Sequence, residues 1–130
     1  MEKTYIATDD RYSSFLRALE VELRAAGVDL VDAASDATAT FTIVFDQTSQ
    51  RVLSVSARNV PTEYEVYYTI SYSLDSGSDT MMPLQTLTLT RDYIYDSTLV
   101  LGKAREEELL REAIVDDLVR IVMKQISTLK

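Results

Sequence analysis

The sequence has neither cysteine nor histidine, and these two absences exclude several classes of function. Without cysteine the chain cannot form a disulfide scaffold or use a thiol nucleophile, and without both residues it cannot build a zinc finger. Every catalytic pair that joins histidine to a serine or cysteine nucleophile is excluded for the same reason. No apolar run approaches the roughly 20 residues that cross a bilayer, and no signal sequence is visible.

Glycine, proline and positive charge are also scarce. With three glycines and two prolines the chain cannot build a glycine-rich phosphate loop, and its few breaks are easy to locate. Thirteen Lys and Arg residues stand against 21 Asp and Glu, a net charge of −8, which argues against general affinity for nucleic acid. A length of 130 residues, 46% of them hydrophobic, predicts one globular domain over residues 1–130.

The first third of the chain contains a short strand and a helix. We predict the strand over Thr4 to Ala7 and a helix capped by Ser13 or Ser14. Apolar residues at three- and four-residue spacing mark the buried face of that helix: Leu16, Leu19, Leu23 and Ala26. Gly27 is placed to end the helix, and residues 28–36 carry no pattern that assigns them.

From Thr40 onward the hydrophobic period changes from 3.6 to 2, which indicates strands. Phe41, Ile43 and Phe45 alternate with polar or smaller residues, and after the polar stretch Asp46–Gln50 the alternation resumes at Leu53, Val55 and Ala57. This pattern fits either a tight hairpin or one long strand with a bulge at the polar residues. We favour the long strand.

The clearest strand follows Pro61, and a further strand follows the turn Ser76–Asp79. One face of the first is apolar, and the other is polar apart from Tyr67. The apolar side is formed by Tyr64, Val66, Tyr68, Ile70, Tyr72 and Leu74. In the next strand Leu87, Leu89 and Tyr93 face one way and Thr86, Thr88, Thr90 and Asp92 the other. We predict a loop over Asp96–Gly102 and a long helix from about Lys103 to Leu129.

Strands that are apolar on one face only predict an α+β fold in which both helices cover the same side of the sheet. The order of elements is β-α-β-β-β-α. The uncovered face is rich in Thr, Ser and Tyr, and Tyr67 on this face is the aromatic residue best placed to contact a partner.

Few residues suggest catalysis. The acidic runs Glu106–Glu108 and Asp116–Asp117 could hold a metal for a hydrolase. Successive residues of a helix point about 100° apart, however, and acidic residues near a helix start are explained by the helix dipole. We therefore expect no enzyme activity and no cofactor.

The basic residues have two interpretations that the spacing alone leaves open. Arg51, Arg58, Arg91, Lys103 and Arg105 are either scattered solvated charges or a small patch for an anionic head group or phosphate. Lys103 is notable because a cation at a helix N-terminus is electrostatically unfavourable unless it serves another purpose.

Two stretches resemble the LptE family, the lipopolysaccharide-assembly lipoproteins of Gram-negative outer membranes. They read SVSARNVPTEYEVYYTISYSL from Ser54 to Leu74 and LTLTRDYIYDSTLVLGKAREEELLREAIVDDLVRIV from Leu87 to Val122. The end of the first helix, LRAAGV, also fits, so the resemblance covers nearly the whole chain. It implies two helices on one face of a mixed, mostly antiparallel sheet of roughly four strands.

The same resemblance implies the function and partners. An LptE-like protein is lipid-anchored at the periplasmic face of the outer membrane, plugs the β-barrel LptD in a one-to-one complex, supports assembly of that barrel and binds lipopolysaccharide. By motif position the lipopolysaccharide-binding cations fall on Arg58 and Lys103, with Arg91 and Arg105 as weaker candidates. A purely structural plug or barrel-assembly chaperone is the alternative. The family's signal peptide and lipidated cysteine are missing from this sequence, so membrane attachment is an expectation from the family.

Overall fold

Within residues 1–58, 61–94 and 103–129, which are the part of the chain described by the computed structural model, there are five strands and two α-helices. Their order along the chain is β1 (Lys3–Thr8), α1 (Ser14–Ala25), β2 (Asp29–Val31), β3 (Ala39–Val55), β4 (Pro61–Ser76), β5 (Asp79–Ile94) and α2 (Lys103–Ser127). A single 3₁₀ turn, Ala34–Asp36, lies between β2 and β3. The predicted loop Asp96–Gly102 lies outside the described residues.

The strands form one mixed sheet in the spatial order β2-β1-β3-β4-β5. β1 runs parallel to β2 and β3, whereas the β3–β4 and β4–β5 ladders are antiparallel. The α+β class is confirmed, but the expected count of roughly four strands was one short. The additional strand, β2, has three residues, which is too few for a hydrophobic period to be read from the sequence.

The first helix begins and ends where its sequence predicts. The Ser13 hydroxyl accepts a hydrogen bond of 3.1 Å from the backbone N–H of Leu16, which satisfies one of the free donors of the first turn. Gly27 adopts φ +89°, a left-handed conformation that favours glycine. The N–H of Val28 then bonds the Leu23 carbonyl at 3.0 Å and closes the helix end.

β3 is one long strand with a bulge, so the favoured interpretation is confirmed and the hairpin is wrong. The bulge lies at Val44, between Ile43 and Phe45, and not at the polar stretch. An extra residue in one strand reverses the faces of all residues after it. Phe45 is consequently 41% exposed, although simple alternation groups it with buried Phe41, and Asp46 takes its place on the helix-covered face.

The core lies between the helices and one face of the sheet. The apolar side of β4 is buried there as predicted, together with the inner faces of both helices. Its largest fully buried side chains are Tyr68, Tyr72, Phe15, Phe41, Leu16, Leu19, Leu23, Ile70, Leu74, Ile114, Leu118 and Val66. No helix in the described ranges covers the opposite side, where Thr86, Thr88 and Thr90 are exposed. We call this side the open face.

Candidate functional site

Arg58 lies at one end of the sheet, which we call the loop end, just beyond the pairing of β3 with β4. The last paired residues there are Val55 with Pro61, and Glu63 pairs with Ile94 at the end of β5. Arg58 is exposed, and its backbone N–H donates to the Ser56 hydroxyl at 3.2 Å. Its guanidinium is therefore presented at the surface where three strands end or begin.

Contacts between α2 and the sheet place the start of this helix at the loop end. The Tyr93 hydroxyl donates to Glu107 Oε1 at 2.5 Å, and its oxygen also lies 3.0 Å from Gln50 Oε1. Burial raises the pKa of Tyr93, and the Glu107 carboxylate raises it further, so the phenol stays protonated and able to donate. Arg111 Nε adds a 3.0 Å bond to the Thr48 hydroxyl.

These contacts bring the predicted basic residues Arg58, Lys103 and Arg105 to the same end of the molecule. α2 begins at Lys103, whose side chain lies outside the described residues, and Arg105 is exposed in the first turn. None of the ion pairs within the described ranges includes Arg58 or Arg105. Their charges are therefore open to an external anion.

Aliphatic side chains are exposed beside these cations, which the sequence pattern did not anticipate. Alternation grouped Leu53 and Val55 with an inward face, but both are about half exposed, as is Val52, and Ile94 at the end of β5 is 78% exposed. The sheet extends past the cover of the helices here, and register shifts around Ser54 disturb the alternation. Apolar surface next to cations suits an amphiphile with an anionic head group.

Arg91, a weaker candidate, lies on the helix-covered face. Its guanidinium forms an ion pair with Asp117 of α2, and Asp117 also binds Arg120 at 2.8 Å. β5 places Arg91 opposite Val66, away from the open face. Its charge is already compensated, so Arg91 connects α2 to the edge strand.

Tyr67 lies on the open face as predicted, and it is not isolated. The Arg51 guanidinium carbon lies 4.9 Å from the Tyr67 ring centroid, and Arg51 also pairs with Glu65. Neighbouring hydroxyls bond across the strands, Thr69 to Thr88 at 2.9 Å and Ser71 to Thr86 at 2.7 Å. The open face is thus an ordered polar surface with an aromatic residue and a cation at one side.

The acidic runs do not assemble a metal site in the described residues. No group of three possible metal ligands occurs there, and Glu107 of the acidic run is bonded to Tyr93. Nor is either described helix long and apolar enough to span a bilayer.

One buried polar cluster was missed by the sequence analysis. Asp46 accepts hydrogen bonds from the Ser13 hydroxyl and, at 2.5 Å, from the Tyr68 hydroxyl. Tyr68 OH also lies 3.3 Å from Ser13 Oγ and 3.4 Å from the Phe15 backbone nitrogen. Burial, followed by the Asp46 contact, raises the pKa of Tyr68 to about 12. The cluster fixes α1 on the sheet.

Comparison with known protein families matches almost the whole chain. The family model LptE, described as lipopolysaccharide-assembly, matches residues 1–126. No curated protein sequence matches the chain.

Several solved structures share the fold over almost the whole chain. The rare lipoprotein B of Shewanella oneidensis is 24% identical with a TM-score of 0.80, covering 97% of this chain and 94% of its own. Lipoprotein B of Nitrosomonas europaea is 26% identical with a TM-score of 0.81, covering 97% and 82%. A minor lipoprotein of Acinetobacter baumannii is 21% identical with a TM-score of 0.77, covering 98% and 93%.

Proposed function

This chain belongs to the LptE family of lipopolysaccharide assembly, and we propose that it serves assembly by binding lipopolysaccharide itself and by plugging a β-barrel partner of the LptD type. In this proposal the protein is a non-enzymatic subunit without a cofactor. The observation that carries it is the loop end, where exposed cations and exposed aliphatic side chains lie together.

Lipopolysaccharide is anionic, so its binding must overcome the net charge of −8. Charged hydrogen bonds contribute about 1.5–3 kcal/mol each. Screening over about 8 Å at physiological salt confines the repulsion from distant carboxylates. Because Arg58 and Arg105 have no ion-pair partner among the described residues, a phosphate at the loop end would displace only water from them.

The site is tested by measuring lipopolysaccharide binding to the purified protein and to Arg58→Asp/Lys103→Asp. We expect at least tenfold weaker binding in this variant. The matched control is Lys3→Asp/Lys124→Asp, which changes the net charge equally at two exposed positions away from the loop end. Equal loss in both variants, or none in the first, would remove the assignment of Arg58 and Lys103.

A barrel partner is supported by the one-sided architecture. The lumen of a large barrel is polar, and the open face presents hydroxyls to it rather than an oily surface. A photo-reactive phenylalanine analogue at Tyr67 or Thr88 should crosslink to the barrel in cells. The same analogue at Tyr12, which is 82% exposed on another surface, is the control. Crosslinking from Tyr12 alone would contradict contact through the open face.

We place the protein at the periplasmic face of the outer membrane, held by a lipid anchor. The supporting observation is that the three structural relatives are described as lipoproteins. Metabolic labelling of the gene product with radioactive palmitate, followed by membrane fractionation, tests this placement. Label in the outer-membrane fraction is expected, and an unlabelled product in the periplasm would contradict it.

A purely structural plug or assembly chaperone is the second candidate, favoured by the overall acidity and by the compensation of Arg91 through Asp117. The two proposals differ in cells that carry Arg58→Asp/Lys103→Asp with an intact barrel complex. Defective lipopolysaccharide export supports direct glycolipid binding, and normal export supports the structural role.

A further inference from the structure

A groove runs between α1 and α2 on the outer side of the molecule, away from the open face, and it begins beside the loop end at Glu107 and Glu108. It consists of two adjoining cavities of about 760 and 560 Å³, which share Ala18, Val21 and Asp116. All of its lining residues belong to the two helices, beginning with Ser14 at the start of α1. None of the interactions described above uses it for lipopolysaccharide or for a barrel.

The floor of this groove is apolar. It is formed by Ala18 and Val21 from α1 and by Val115, Val119 and Met123 from α2. Val115 and Val119 are buried in the core, so the accessible apolar surface comes from Ala18, Val21 and Met123. Val21 is 61% exposed and lies outside the buried face of α1, which is supplied by other residues. Because Val21 lines both cavities, it leaves apolar surface there that a partner could remove from water.

One rim carries a row of uncompensated carboxylates, which we call the acidic stripe. Glu108, Glu112 and Asp116 are spaced four residues apart on α2, so they neighbour one another along one side of the helix. None of the ion pairs in the described ranges includes them. Of the arginines at the groove, Arg111 is turned to Thr48 and Arg120 to Asp117, which leaves Arg17.

We propose that this groove binds a cationic amphipathic helix of a partner protein. Its apolar side chains would lie on Ala18, Val21 and Met123, and its lysines or arginines would neutralise the acidic stripe. The acidic stripe favours a partner that carries positive charge. A second copy of this acidic chain would be repelled and is therefore a poor occupant.

The occupant is a helix because the groove offers no free backbone groups. Both walls are helices, whose peptide groups are bonded internally, so an extended segment would bury unpaired N–H and C=O groups. A helix satisfies its own backbone and needs only side-chain contacts. Glu108 and Met123 lie about four turns apart, on the order of 22 Å, which fits a partner helix of roughly 15 residues.

The test uses the full chain and a labelled 18-residue synthetic helix with leucine on one face and lysine beside it. Binding is measured by fluorescence anisotropy, and the contact is located by NMR chemical shifts. Glu108→Gln/Glu112→Gln/Asp116→Asn should weaken binding at least tenfold. The control Glu63→Gln/Asp75→Asn/Asp79→Asn makes the same charge change on the sheet and should alter it less than twofold.

A second variant tests the apolar floor independently of charge. Val21→Ser should weaken binding at least threefold, and because Val21 is largely exposed it should leave thermal unfolding nearly unchanged. Equal losses in the two triple variants, shifts that map to the sheet, or undiminished binding by Val21→Ser would each overturn the proposal. So would dimerisation of the free chain through this groove in sedimentation experiments.

Discussion

At the scale of single residues, Asp46 is a polar group on which three separate segments of the chain converge. It binds Ser13, 33 positions away, and Tyr68, 22 positions away. A half-buried carboxylate is tolerated only when its oxygens are hydrogen-bonded, because desolvation of an unpaired charge is costly. Removing one partner should therefore destabilise the protein more than loss of an average hydrogen bond.

Tyr68→Phe tests this expectation. The substitution removes the 2.5 Å bond to Asp46 and leaves one carboxylate oxygen without its donor. We expect the free energy of unfolding to fall by about 1–3 kcal/mol in urea titrations. Tyr12→Phe, at a position 82% exposed, should change it by less than about 0.5 kcal/mol. Equal effects of the two substitutions would contradict the role given to the cluster.

The same tyrosine predicts a pH dependence. An unfolded tyrosine ionises near pH 10, whereas burial and then Asp46 raise the pKa of Tyr68 to about 12 in the folded protein. Between these values the unfolded state binds fewer protons than the folded state, so stability falls as pH rises. Below pH 10 the contribution is fully present.

We therefore expect the urea midpoint to decline between pH 10 and 12. Burial also raises the pKa of Tyr72 and Tyr93, so part of the decline should persist in Tyr68→Phe, with a smaller slope. Midpoints measured at half-unit pH steps for both proteins give the difference. Parallel curves would show that Tyr68 does not remain protonated as described.

At the scale of elements, the bulge at Val44 decides what β3 presents to the helices. Before it, Ile43 is 5% exposed and belongs to the core; after it, Phe45 faces outward and Asp46 inward. The bulge is therefore what allows a carboxylate of β3 to reach Ser13 and Tyr68.

Two alanine substitutions measure this difference. Ile43→Ala should reduce the free energy of unfolding by about 2–4 kcal/mol, because it opens a cavity in the core. Phe45→Ala should cost less than about 1 kcal/mol, although the residue is larger, because much of its side chain is already in water. Urea unfolding measures both changes. If the alternation along β3 were uninterrupted, both substitutions would be strongly destabilising.

The contrast also shows what could be read from the sequence. Period-2 patterns found β4 and β5, helical spacing found both helices, and Ser13 and Gly27 marked the ends of α1. The bulge, the short strand β2 and the partners of Asp46 depend on contacts between segments far apart in the chain, which no local pattern encodes. The grouping of Arg58 with the start of α2 came from family motifs, and the exposure of Val52 and Leu53 had no local signal.

At the scale of the whole molecule, the sheet is covered by helices on one side only within the described residues, and hydroxyls keep the other side compatible with water. Replacing Thr86, Thr88 and Thr90 with valine should change the free energy of unfolding by less than about 1 kcal/mol, because these positions are exposed. It should instead create an apolar patch that promotes self-association.

Sedimentation velocity measures this outcome, with Thr86→Ser/Thr88→Ser/Thr90→Ser as the control that keeps the hydroxyls. The valine variant should sediment as larger species at high protein concentration, and the serine variant should behave as the unmodified chain does. A valine variant that does not associate would mean that hydroxyls are not what keeps this side of the sheet wetted.

The convergence of three chain segments on the Asp46 carboxylate also bears on how the molecule opens. The Leu16 amide is bonded to Ser13, and Ser13 is bonded to Asp46, so the first turn of α1 cannot fray without losing its hydrogen bonds to the sheet. In deuterated solvent this amide should exchange as slowly as those at the centre of the sheet. The start of a helix ordinarily frays first, but here it should be among the last parts of the fold to open to solvent.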